Sequence, residues 1–129
     1  MEDREKFYIK LRFGLSLKRI LDRNKQISVE NEGNGVINRD LIKSFGKLEI
    51  SSGIPKATLI RIVSGKINTA STTLAAIIDA LEMSLSEFGT FYDAISEKDI
   101  EEYKKTITES HKERSLKKDR KQKPKKNKK

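Results

Sequence analysis

SSGIPKATLIRIVSGK, residues 51–66, is the stretch on which the reading of this chain turns. Ser-Ser-Gly-Ile-Pro at its start should turn the chain, and Ser-Gly-Lys at its end should stop a helix. Pro55 suits a first helical position, where its missing N–H is not needed. Gly65 suits the left-handed residue that closes a helix. Between them Leu59, Ile62 and Val63 mark an inner, apolar face, while Lys56 and Arg61 fall on the outer side. A helix this short and this firmly bounded is expected to hold its place by the inner face and to present the outer one.

Outward from it, FYIKLRF (residues 7–13) alternates apolar and polar like a short strand, although no partner strand is visible. Phe13, Leu17, Ile20 and Leu21 then recur at helical spacing and predict a helix over residues 13–24. ISVENEGNGVIN (27–38), with Asn and Gly clustered at 31–35, reads as a flexible loop or a small hairpin. From residue 39 Leu41, Phe45, Leu48 and Ile50 predict a helix that ends at Gly53. Ser71 is a good N-cap for a helix packing through Leu74, Ile77, Ile78 and Leu81. Ser84 and Glu87 form a capping-box pattern ahead of Phe88, Phe91 and Tyr92, and Ser96 to Asp99 offers another start before Ile100, Tyr103 and Ile107. The expected fold is all-α, with five or six short helices. It occupies residues 1–110, with its core over 13–95 and a loop insertion at about 26–40.

The charge is unevenly spread. Residues 1–110 hold 17 Lys/Arg and 17 Asp/Glu, whereas residues 111–129 hold 11 and 2, so the whole excess of +9 lies in the last 19 residues. That segment, HKERSLKKDRKQKPKKNKK, has one apolar side chain, Leu116, and is expected to be a disordered basic tail that either meets polyanions through charge or serves only as a solubilising terminus. The chain has no cysteine, which excludes a disulfide framework and a thiolate zinc site, and one histidine, His111, which argues against a histidine-based metal cluster. No secretory signal is expected behind MEDREK, and no apolar stretch approaches a membrane span. A soluble, cytoplasmic protein without a membrane partner is therefore expected.

Residues 44–88 resemble the phage-repressor type of helix-turn-helix domain, the Cro/repressor-like or xenobiotic-response-element family. The resemblance runs without a gap through Leu48, Gly53, Ile54, Leu59, Ile62, Gly65, Lys66, Leu74, Ala80, Leu81, Ser84 and Phe88, and FGLSLKRIL (13–21) is similar to the family's first helix. Two departures stand out. About 17 extra residues fall between Leu21 and Leu48, which costs little entropy. Leu21 and Val63 also stand where family members often carry a buried Arg–Glu pair, a joint replacement that is energetically acceptable.

The resemblance implies a lambda-repressor-like fold and a sequence-specific regulator of transcription whose partner is double-stranded DNA. It implies that the helix over 55–64 enters the major groove, with Lys56, Ala57, Thr58 and Arg61 meeting base edges. Ser44, Ser64, Lys66 and Asn68 would contact phosphate. Members usually dimerise, so a homodimer is a candidate assembly, with Phe91, Tyr92, Ile95 and Ile100 serving either that contact or the core. A competing reading is an antitoxin-like or adaptor module that uses the same scaffold to grip a protein, and the neutral body favours it mildly. RNA binding through the tail lacks an exposed aromatic platform in the folded part. The residues offer little from which to build an enzyme site, and no cofactor or small-molecule substrate is evident.

Overall fold

The computed structural model describes residues 1–35 and 41–109; the basic tail and residues 36–40 of the expected insertion lie outside the described residues. Those residues form six helices and no strand. The helices are α1 (Asp3–Gly33), α2 (Phe45–Ser52), α3 (Lys56–Val63), α4 (Ser71–Ala80) and α5 (Leu85–Ala94), followed by α6 over residues 97–109. No described helix is long and apolar enough to cross a membrane.

The first of these corrects the sequence reading twice. The strand-like stretch 7–13 and most of the expected loop are both helical, so α1 runs for 31 residues rather than over 13–24. Phe7, Tyr8, Leu11 and Leu15 lie at helical spacing as well as in partial alternation, and all four turn toward the core. No strand is present among the described residues to pair with, and the helical option wins. At the other end, residues 26–33 stay helical through tertiary polar contacts. Asn24 is buried and donates from Nδ2 to the Ile42 carbonyl at 2.6 Å, and buried Ser28 accepts from Lys43 Nζ at 2.9 Å. Ile42 and Lys43 thus lie along α1 and stabilise turns that local composition alone would leave open.

The short helices begin and end for local reasons. Ser44 caps α2 by accepting from the Lys47 N–H, and the helix begins at Phe45, later than the expected onset near residue 39. Gly53, at φ 75°, closes it in a conformation that a side chain would strain. Pro55 is the residue before α3 rather than its first, and Ser71 is the first of α4 rather than its cap; both expectations miss by one position. The end of α3 is a Schellman closure. The Gly65 N–H donates to the Ile62 carbonyl and the Lys66 N–H to that of Arg61. The α4 terminus repeats the arrangement through Glu82 and Met83, with Glu82 taking the left-handed position at φ 56°. Ser84 and Glu87 make the expected capping box, and Ser96 and Asp99 exchange the same two hydrogen bonds ahead of α6.

Helix α1 is the spine. It packs against α3 and α5, while α2 packs against α3 and α4. The core gathers Leu11, Leu17, Ile20, Leu48, Leu59, Ile77, Phe88 and Ile95, with Leu21 and Val63 also buried. Ile95 and Ile100 belong to this core, and half-buried Phe91 and Tyr92 are covered by the guanidinium groups of Arg23 and Arg12. Ile95 and Ile100 thus serve the core, whereas Phe91 and Tyr92 remain partly at the surface. Ile50 departs the other way: expected inside, it is 84% exposed on α2.

The closest packing falls at Gly14. A Cβ there would lie 2.5 Å from the Val63 carbonyl oxygen and 2.7 Å from that of Ile62, inside the backbone of α3. Gly14→Ala should accordingly destabilise the fold by about 2–3 kcal/mol in urea titrations, the range expected when an added carbon forces packed elements apart. Gly89, in α5, has nothing within 4 Å of an added Cβ, and Gly89→Ala should instead stabilise by roughly 0.5–1 kcal/mol through helix propensity.

Candidate nucleic-acid interface

The segment from Ser44 to Asn68 holds its shape through side chains that bind the backbone. Ser52 Oγ donates to the Leu48 carbonyl at 2.6 Å and accepts from the Ile54 N–H at 3.2 Å, which fastens the turn after α2. Glu49 reaches forward seven residues, and its Oε1 accepts from the Lys56 N–H at 3.1 Å. A carboxylate therefore caps the start of α3, where unpaired N–H groups concentrate positive potential. The angle between α2 and α3 is fixed by these three hydrogen bonds and by Gly53.

On this frame α3 buries Leu59, Ile62 and Val63 and exposes Lys56, Ala57 and Arg61. Thr58 is half-buried at the edge of the inner face. Ala57 and Arg61, one turn apart, share the outermost strip of the helix. Of the four residues expected at phosphate, Lys66 and Asn68 are exposed on the segment after α3, and Ser44 is exposed at the start of α2. Ser64 differs: it is half-buried, and its hydroxyl already donates to the Ile60 carbonyl at 2.7 Å. The eight residues thus come from α3 and the chain on either side of it; Ser44 Oγ already accepts from the Lys47 N–H and Ser64 Oγ already donates to the Ile60 carbonyl.

Glu49 carries no sequence signal for this role. It lies in α2, outside the stretch 51–66, and only the fold brings it to the start of α3. A helix of this kind with an acid at its N-terminus is a less general anion site than one with bare N–H groups, since the carboxylate repels phosphate there.

The far end of α3 is held by α6. Tyr103 is buried, and its hydroxyl donates to the Val63 carbonyl at 2.6 Å. Burial, with a smaller contribution from the charge of Asp22, pushes this phenol well above its ordinary value. Asp99, at the start of α6, is held below the usual carboxylate range by the Ser96 N–H and hydroxyl and by Arg19, 3.4 Å away. Among the described residues no group of three or more His, Cys, Asp or Glu is placed to hold a metal ion.

No family model, curated protein or solved structure matches the chain.

Two substitutions test how α3 is mounted. Glu49→Ala should cost about 0.5–1 kcal/mol by urea denaturation, as removal of a helix cap does. Tyr103→Phe should cost about 1–3 kcal/mol, because it leaves the buried Val63 carbonyl unpaired. The unfolded chain releases the tyrosine proton near pH 10, while the folded chain keeps it. Above about pH 10 the folded state binds more protons, so stability falls as pH rises. That alkaline decline should be smaller in Tyr103→Phe.

Proposed function

We propose that this protein is a sequence-specific DNA-binding regulator of transcription, of the helix-turn-helix type, without enzymatic activity. The observation that carries the reading is the mounting of α3. This short helix follows a fastened turn, is gripped by its apolar face, and has Lys56, Ala57 and Arg61 outward. A helix presented in this way fits the major groove of B-DNA. Arg61 has the donors to take guanine O6 and N7 together, Lys56 can reach the same atoms, and Ala57 and the Thr58 methyl suit a thymine methyl. Lys66, Asn68 and Ser44 flank the helix as candidate phosphate contacts; Ser64 is the weakest of the set because its hydroxyl proton is already donated to the Ile60 carbonyl, whereas Ser44 Oγ only accepts and keeps its proton to give. The basic tail adds phosphate contacts that carry no sequence information.

A second reading has its own support. The body carries no net charge over residues 1–110, and Ile50 and Leu85 are 84% and 71% exposed. These features suit an adaptor or antitoxin-like module that grips a protein. The two readings separate on DNA.

Binding sites selected from a random duplex pool supply the cognate sequence. Arg61→Ala should then lose about 1–3 kcal/mol on that sequence, while binding to random duplex is nearly unchanged. Deletion of residues 111–129 should weaken binding to every duplex by a similar factor. It should also flatten the slope of log affinity against log salt by about 0.9 for each phosphate that the tail no longer neutralises. Failure of the pool to converge on any sequence, with only tail-dependent binding left, would favour the adaptor.

A further inference from the structure

The first turns of α1 and the segment leading into α4 line an open groove of about 510 Å³ on the surface. Ile9, Phe13, Ile67 and Leu74 give it an apolar lining, and Ile9 is 36% exposed. Lys6 and Lys10, one helical turn apart on α1, contribute its charge, and no carboxylate side chain lines it. Neither ammonium group has an ion-pair partner among the described residues. The groove therefore joins apolar surface to two cations that form no ion pair among the described residues, in a volume within the range of small-ligand sites.

We propose that this groove binds a medium-chain fatty carboxylate, with the alkyl chain on the apolar lining and the carboxylate between Lys6 and Lys10. Removal of the chain from water drives association, and charge-assisted hydrogen bonds orient the head. Asn68 and Ser71 add polar groups to the wall, and α4 starts there without a side-chain cap. The charge pattern argues against other occupants. The chain's own tail is cationic and is repelled by the lysines. A nucleic-acid backbone would meet the lysines but leave Ile9, Ile67 and Leu74 wet. A two-chain lipid exceeds the volume. Because Asn68 also belongs to the surface proposed for phosphate, an occupied groove opposes DNA binding; this last step rests on the DNA-binding reading.

The test is a heteronuclear NMR titration of the full chain with sodium decanoate below its micelle concentration. Saturable shifts should be confined to residues lining the groove. The double variant Lys6→Met, Lys10→Met should bind roughly tenfold or more weakly, as removal of two charge-assisted hydrogen bonds implies. Ile9→Glu should abolish binding, with thermal melts confirming that both variants fold. Decyltrimethylammonium should produce no such shifts in the parent. Absence of saturable shifts at the groove, undiminished binding in the double variant, or equal binding of the cationic amphiphile would overturn the site. With cognate duplex present, decanoate should weaken DNA binding by the parent and not by Ile9→Glu. Unchanged DNA affinity in decanoate-saturated parent would overturn the coupling. A chain that binds decanoate but never DNA would overturn the earlier reading and leave the site intact.

Discussion

The carbonyl oxygens of Ile62 and Val63 lie so close to residue 14 that only a glycine allows α1 and α3 to meet. Much else is arranged around that approach. It sets the depth at which Leu59, Ile62 and Val63 enter the core, and so which side of α3 is left outward. It also buries the Val63 carbonyl, which then needs a donor, and α6 supplies one through Tyr103. A single absent side chain in the longest helix thereby governs how the shortest helices are displayed.

The same demand for partners explains the aromatic residues around the core. Arg4 stands over Tyr8, Arg12 over Tyr92, Lys18 over Tyr103, Arg23 over Phe91 and Lys104 over Phe7. Each cation covers a ring that the helices only half enclose or that lies near the surface, and its aliphatic stem shields apolar area while the charged head stays near water. A body so rich in Lys and Arg can be neutral in sum and still use its cations structurally. Those on α3 are not used in this way: neither Lys56 nor Arg61 covers a ring or forms an ion pair among the described residues.

Features governed by neighbours in sequence are readable from the sequence. Gly53 and Gly65 in left-handed positions, the Ser84–Glu87 box, the Ser96–Asp99 exchange and the outward placement of Lys56, Ala57 and Arg61 all follow from spacing within one turn or one helix. What escapes such a reading depends on partners far along the chain. The last turns of α1 survive because of Ile42 and Lys43, and their buried residues, Asn24 and Ser28, are polar, so no apolar periodicity announces them. Glu82 takes a conformation usually left to Gly or Asn, so nothing at that position flags the turn. In the candidate interface, the outward residues of α3 are legible and the capping role of Glu49 is not, because it requires the fold of the turn between them.

The guanidinium of Arg12 donates to the carbonyl of Ile95, a hydrogen bond spanning 83 positions, and Tyr103 reaches back 40 to Val63. Contacts so distant in sequence close late, because the loop entropy must be lost before they form. On a ribosome α1 emerges ahead of the other helices, and its half-buried arginine waits for almost the entire body to be synthesised before finding its acceptor. The contact that α6 makes with the end of α3 is thus available only once residue 103 has been synthesised, whereas the bonds of Ser52 and Glu49 that fasten the turn before α3 need no residue beyond 56.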